Sequence, residues 1–176
     1  MVSILTSVLA HLADRRHDRP VQSHRLLRRV FAAPARLYGS GLGWLLGHRF
    51  LCLTHRGRRS GRRYQTVLEV LAWRPRTDEA VVISGFGPRS NWFQNTLAGG
   101  AVEIRIGRLS FVPEVREVER AEAVTVLTDY ERRNRFASPV IRLLLSRLTG
   151  ERYDGSMAAR ERVAAQLPML AFRPRR

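Results

Sequence analysis

The sequence predicts an α+β protein, a small barrel of about six short, mostly antiparallel strands with helices before, between and after them. Three observations predict it. Up to residue 48 the apolar residues follow helical spacing, interrupted at Pro20 and Pro34. From Arg49 to Val118 the period changes to two, and beyond Glu119 helical spacing returns. With 176 residues and 44% hydrophobic content the chain suits one domain over 1–176. The expected parts are an N-terminal helical extension over 1–48, barrel strands over 49–118 with an inserted helix at 91–98, and C-terminal helices with a last strand over 119–176.

The elements follow in order. In "SHRLLRRVFAAP" Leu26, Leu27, Val30 and Phe31 share one helical face and Arg25, Arg28 and Arg29 crowd the other. That pattern suits packing on the domain or peripheral contact with a membrane surface. "LYGSGLGWLLG" reads as a short, closely packed helix, and "RFLCLT" as a strand. "YQTVLEVLAW" alternates, with Tyr64, Thr66, Leu68 and Val70 on one face and Gln65, Val67, Glu69 and Leu71 on the other. "RPRTDE" turns the chain into the strand "AVVISG". Ser90 is placed to cap the helix "NWFQNTLA", which Gly99 and Gly100 stop. "AVEIRIGRLSFVPEVREV" reads as a hairpin turning at Gly107 and Arg108. A helix with early acids and late arginines follows, then one opened by Ser138 and Pro139 and ended by Gly150, and a final helix closed by Pro168 before "MLAFRP".

Charge narrows the function. The net charge is +16, and all 31 basic residues are arginine. A genome that favours arginine codons accounts for much of this, yet guanidinium forks still bind phosphates and carboxylates in pairs of hydrogen bonds. Nucleic acid, an anionic membrane or a polyanionic small molecule could use such a surface. The aromatics do not interleave with the arginines as stacking platforms, which argues against nucleic acid. Cys52 is the only cysteine, which excludes a disulfide framework and suits a cytoplasmic setting. "MVSILTSVLAHLADRR" lacks a basic start and a good cleavage site, so no signal peptide is expected. The apolar stretch from Leu37 is broken by His48 and Arg49 and is no membrane span. Five scattered histidines give no metal spacing, and each reads as a surface or packing residue. Neither a dinucleotide fingerprint, a phosphate-binding G-x-x-x-x-G-K loop nor a G-x-S-x-G elbow is present. Any chemistry therefore has to come largely from a cofactor.

Two segments stand out. "THRGRRSGRR" combines Gly57 and Gly61, which permit tight turning, with the Ser60 hydroxyl and the forks of Arg58, Arg59, Arg62 and Arg63. "SGFGPRSNWFQN" sets a glycine-rich strand end before a helix start, with Trp92 as an apolar wall and Asn95 one turn on. Phe93 reads as a core anchor.

Taken together, "LTHRGRRSGRRYQTVLEV" and "VISGFGPRSNWFQNTLA" resemble the deazaflavin-dependent nitroreductase family, split β-barrel oxidoreductases that bind coenzyme F420 and are similar to the flavin-binding pyridoxamine-phosphate-oxidase barrels. The resemblance runs from Leu37 to Val118 and includes "LPMLAFRP". It implies that Arg58, Arg59 and Ser60 hold the coenzyme's phosphate and acidic tail, that Thr66 lines the deazaflavin, and that Ser84, Gly85 and Gly87 contact its ring or ribityl chain. Trp92 and Asn95 would close the pocket, and Tyr130 would contact substrate. Tyr64 stands where relatives often carry arginine, Val67 where proline is usual, and Arg89 is the candidate substitute for a basic residue of the second loop. The implied activity is hydride transfer from the reduced coenzyme to an activated alkene, quinone or nitro compound; the sequence leaves the oligomeric state open, although small split barrels often pair as homodimers. The alternatives are the same barrel holding FMN, heme or another flavin, or a basic module that binds nucleic acid or anionic membrane.

Overall fold

The computed structural model describes residues 37–175. The predicted helical face of Leu26, Leu27, Val30 and Phe31 lies outside the described residues. Seven antiparallel strands run β1 (Phe50–Arg56), β2 (Arg63–Arg74), β3 (Glu79–Ile83), β4 (Ala101–Ile106), β5 (Leu109–Phe111), β6 (Pro113–Glu117) and β7 (Met169–Pro174). Their order in the sheet is β5-β4-β1-β2-β3-β7-β6. The sheet's two outermost strands, β5 and β6, are separated along the chain by Val112 alone. The ends of the sheet are therefore tied together covalently, and the sheet has to curl into a barrel. Because β5 and β6 pair with β4 and β7 and not with each other, the barrel stays split.

Alternation along the strands decides which residues fill it. Ala80 and Val82 of β3 and Leu170 and Phe172 of β7 point into the barrel with Leu51, Leu53, Leu68 and Val70. Val81, Ile83, Met169 and Ala171 point outward, under a helical layer. Both faces of β3 and β7 are thus covered, which is why they read as unbroken apolar runs. On β2 the register shifts between Val70 and Ala72, so Leu71 and Ala72 both face the helices and Trp73 turns back inside. This bulge lets one long strand serve both halves of the barrel.

Among the described residues four α-helices accompany the sheet: α1 (Asn91–Asn95), α2 (Arg120–Arg133), α3 (Ser138–Thr149) and α4 (Met157–Gln166). Ala123, Val126, Leu127 and Tyr130 make one face of α2 and pack on the outer side of β2 and β3. Leu127 and Leu145 are fully buried there, each contributing roughly 2–3 kcal/mol. Glu122 sits in the first turn of α2 and Arg132 and Arg133 in its last, as the helix dipole favours. Three sequence expectations change. The segment after Gly107 forms two strands, not one hairpin arm, because it crosses at Val112 from β4 to β7. Ser90 occupies the cap position of α1, but its side chain bonds Ser84 and the Gly87 carbonyl and does not cap. "LYGSGLGWLLG" yields only a 3₁₀ turn over Gly43–Leu46 beyond its first residues.

Candidate functional site

β1 and β2 are joined at the barrel mouth by a six-residue loop, 57–62, whose ends pair as Arg56 with Arg63. Gly57 N donates to the Arg62 carbonyl and Gly61 N to the Gly57 carbonyl, both at 2.8 Å. This turn needs a left-handed residue, which Gly61 supplies at φ +64°. A Cβ at Gly57 would lie 2.6 Å from Ser60 Oγ and 2.9 Å from the Tyr64 ring, so only glycine leaves the concavity open. From the opposite side, the segment after β3 crosses the mouth as α1 and meets this loop. Gly100, at the end of that crossing, is forced by close approach: a Cβ there would sit 2.6 Å from the Asn95 carbonyl and 2.7 Å from the Arg56 carbonyl.

The two segments are joined by one chain of hydrogen bonds. Arg58 donates to Asn95 Oδ1 twice, from its backbone N–H at 3.1 Å and from Nη1 at 3.0 Å, and to Asn91 Oδ1 at 3.4 Å. Asn95 Nδ2 lies 3.2 Å from His55 Nδ1, and His55 Nε2 lies 3.2 Å from Thr66 Oγ1. The polarity of this chain follows from its first member, since arginine and backbone N–H groups can only donate. They hold Asn95 Oδ1 toward Arg58, which turns Nδ2 to His55, makes Nδ1 the acceptor and places the ring proton on Nε2. That proton goes to Thr66 Oγ1, which leaves the threonine hydrogen free to donate to another group. Burial pushes the His55 pKa below its ordinary value, which keeps the ring neutral near pH 7. Tyr64 covers the site from solvent, its ring 5.8 Å from that of His55 and its hydroxyl 3.3 Å from Ser60 Oγ.

Around this network the charge is one-sided. Residues 49–68 and 84–100 contain no acidic residue. Among the described residues no carboxylate forms an ion pair with Arg58, Arg59, Arg62 or Arg63, whereas Arg160 and Arg173 each have one and Arg74 and Arg116 each have two. Four uncompensated guanidinium groups around an open glycine bend suit a ligand carrying a phosphate and several carboxylates.

A model of the F420H(2)-dependent quinone reductase family matches residues 26–138, more than half of the chain. The chain belongs to this family. It is an oxidoreductase that works with coenzyme F420, and the arrangement of donors at the mouth fits that polyanion. No curated protein matches the chain. Among solved structures it is similar to an F420-H2 dependent reductase (16% identity, 72% of this chain and 96% of that chain, TM-score 0.40). It is similar as well to a protein of unknown function from Agrobacterium tumefaciens (13% identity, 81% and 55%, TM-score 0.45). A third likeness is to a pyridoxamine 5'-phosphate oxidase-related, FMN-binding protein from Nostoc punctiforme (12% identity, 81% and 78%, TM-score 0.38).

The residues that the resemblance implicates fall into three groups in this quinone reductase family member. Arg58, Ser60, Thr66 and Asn95 come together at the mouth, with Arg59 exposed on the same loop. Asn95, however, is buried, and both ends of its amide are engaged by Arg58 and His55. It positions the loop, and does not itself face an open pocket. The second group lies behind the mouth. Ser84 is fully buried with its hydroxyl donated to the Gly87 carbonyl, Gly85 and Gly87 are buried, and Trp92 packs edge-on against Phe93 in the barrel core. Contacts from this segment would be made by backbone. Tyr130 stands apart beneath α2, where its hydroxyl donates to Glu69 Oε1 at 2.8 Å; burial and that carboxylate push its pKa up. Arg89 is exposed, and Val67 packs beside Tyr38, Phe50 and Cys52.

His55 is the residue the sequence reading passed over. The strand runs two residues beyond Thr54, and period two then places His55 on the inward face with Leu51 and Leu53. That alternation was the available signal. His48, by contrast, stacks on Trp73 at 4.3 Å and is a packing residue. Among the described residues no group of acids, histidines and cysteine is arranged to hold a metal. A separate cavity of about 480 Å³ opens on the outer face of β4, lined by Tyr38, Trp44, Arg105 and Arg108.

Proposed function

We propose that this protein binds coenzyme F420 across the barrel mouth and uses it to reduce a quinone, with activated alkenes and nitro compounds as further acceptors of the same electronic type. The observation that carries this reading is a glycine bend bearing four arginines without ion pairs and tied, through Arg58, to the Asn95–His55–Thr66 chain of hydrogen bonds. When bound, the reduced deazaflavin supplies the hydride. Arg58, Arg59 and Ser60 bind its phosphate and acidic tail, while Arg62 and Arg63 add field to the same groove. Thr66 donates to a ring acceptor and orients the ring, because His55 has already taken the role of donor to Thr66. Tyr64, stacked beside His55, shields that side of the mouth from water. With His55 neutral and its Nε2 proton engaged, the proton taken up by the reduced quinone comes from solvent at the open side.

Titrating purified protein into F420 and following fluorescence polarisation tests the reading. Saturable binding that weakens as salt rises is expected, since exposed guanidinium contacts are screened. Absence of binding at low salt, or protein purified with a yellow flavin band that F420 cannot displace, would overturn it. A homodimer completing the mouth is part of the same proposal and would be read from the mass in solution.

A further inference from the structure

We infer that the cavity on the outer face of β4 is a second ligand site, one that takes a small planar aromatic carboxylate. It measures about 480 Å³, within the range of small-molecule sites and ample for two fused rings. It opens where the 3₁₀ turn over Gly43–Leu46 faces the turn between β4 and β5. Its walls are held from inside the fold. The Tyr38 hydroxyl donates to the Phe50 carbonyl at 2.8 Å, which pins the ring. Gly43 lies flat against that ring, where a Cβ would collide with it. Arg105 donates from Nη2 to Cys52 Sγ at 3.7 Å, and its guanidinium carbon lies 5.9 Å from the centre of the Tyr38 ring. The Arg108 guanidinium lies over the Trp44 ring at 5.4 Å. An arginine stacked on an aromatic ring is held in place with N–H groups still able to donate.

Charge and apolar surface together select the ligand. Among the described residues neither Arg105 nor Arg108 forms an ion pair. The acid on the same face of β4, Glu103, accepts instead from Ser110 Oγ at 2.7 Å. Arg105 Nε is buried and has no hydrogen-bond partner, a donor that a ligand carboxylate would satisfy. Two guanidinium groups without acids call for an anion. Beside them the lining is apolar, with Trp44 44% and Leu109 38% exposed. A free phosphate would leave that surface unused, and a neutral ring would leave the arginines unmatched. A carboxylate on a flat ring uses both. The cavity is also separate from the arginine loop: Arg105 pairs with Cys52 of β1, and Gly57 lies five residues further along the chain, roughly 16 Å away. The inference therefore does not depend on the coenzyme reading.

The test is calorimetric titration of the full chain, without coenzyme, with 2-naphthoate and with its neutral isostere 2-naphthamide. Saturable binding of the carboxylate is expected at roughly 0.1–1 mM, the affinity open to a ligand of about 13 non-hydrogen atoms. The amide should bind about tenfold more weakly or worse. Arg108→Gln and Trp44→Leu, both at exposed positions, should each raise the dissociation constant about fivefold or more and leave the melting temperature unchanged. Arg58→Ala with Arg59→Ala should bind 2-naphthoate as the parent does, and saturating F420 should not displace it. Four results would overturn the inference: no saturable binding of 2-naphthoate, an amide that binds as tightly as the carboxylate, an affinity that Arg108→Gln and Trp44→Leu leave intact, or binding lost on changing the arginine loop or adding F420.

Discussion

Replacing Asn95 with leucine tests the hydrogen-bond chain that ties the arginine loop to the barrel. The two side chains have the same branched heavy-atom skeleton, so no cavity is created, and the polar loss, with some crowding by the bulkier methyl groups, sets the cost. Three bonds disappear: two from Arg58, at 3.1 and 3.0 Å, and one to His55 at 3.2 Å. At roughly 1 kcal/mol each they amount to about 3 kcal/mol, and the His55 nitrogen left buried without a donor adds about 1 kcal/mol or more. A loss of about 4 kcal/mol at a slope near 2 kcal/mol per molar urea moves the unfolding midpoint down by about 2 M. The companion substitution Asn95→Asp keeps the acceptor for Arg58 but sets an oxygen against His55 Nδ1. His55 must then take a proton there, and its pKa rises from its depressed position, which a histidine NMR titration reads directly. A midpoint shift below about 0.3 M for Asn95→Leu, or a His55 in Asn95→Asp that titrates no higher than in the parent, would refute the assigned polarity.

Arg58→Ala combined with Arg59→Ala should raise the dissociation constant for F420 about tenfold or more and flatten its salt dependence, measured by the same polarisation titration. Tyr130→Phe removes a buried donor to Glu69 and should lower the urea stability by roughly 1.5–3 kcal/mol while leaving turnover and quinone affinity unchanged; altered turnover would return Tyr130 to the substrate site. Stability should fall with acid in two stages. The pKa of His55 is lowered in the folded state from 6.5, so its contribution is full above that pH and is lost as pH drops below it. Glu122 is lowered from 4.5 to about 2, first by its hydrogen bonds to Arg116, so its contribution is full above pH 4.5 and fades as pH falls toward 2. Glu122→Gln should shrink the lower stage and leave the upper one unchanged in urea midpoints taken across that range, since Glu114 and Asp154 are also lowered and keep their share.

Local pattern carried much of the architecture. The two faces of β2 could be assigned from alternation, because Leu68 and Val70 fill the barrel while Val67 and Leu71 leave it. What alternation does not contain is partnership. β6 reads as a continuation of β5 until its pairing with β7, more than fifty residues away, is known. The same gap explains the site. Gly57, Gly61 and the arginines announced a charged turn from their own chemistry, but Asn95 looked like a pocket residue because nothing local shows that Arg58 and His55 occupy both ends of its amide. The burial of Trp92 is equally invisible locally, since it depends on strands that lie dozens of residues away in both directions, from Leu51 to Phe172. His55 was missed by a boundary error of two residues at the end of β1.

The position of the acids, more than the number of arginines, explains how the fold makes a binding surface out of a basic chain. At the far end of β2, Arg74 and Arg116 are both clamped by Glu79 and Glu122, so two guanidinium groups meet two carboxylates and the local charge cancels. Eleven residues earlier on the same strand, about 35 Å away in an extended chain, the loop around Gly57 has guanidinium groups and no acid. The barrel thus carries a gradient of compensation along one strand, neutral where β2, β3 and β6 meet α2 and strongly positive where β1 and β2 turn. A uniformly basic surface would attract any polyanion equally. In the binding mode proposed above, a surface whose charge is cancelled beside α2 and left free beside His55 and Thr66 would draw the acidic tail of the coenzyme to the loop, and so set which end of that long molecule faces the barrel.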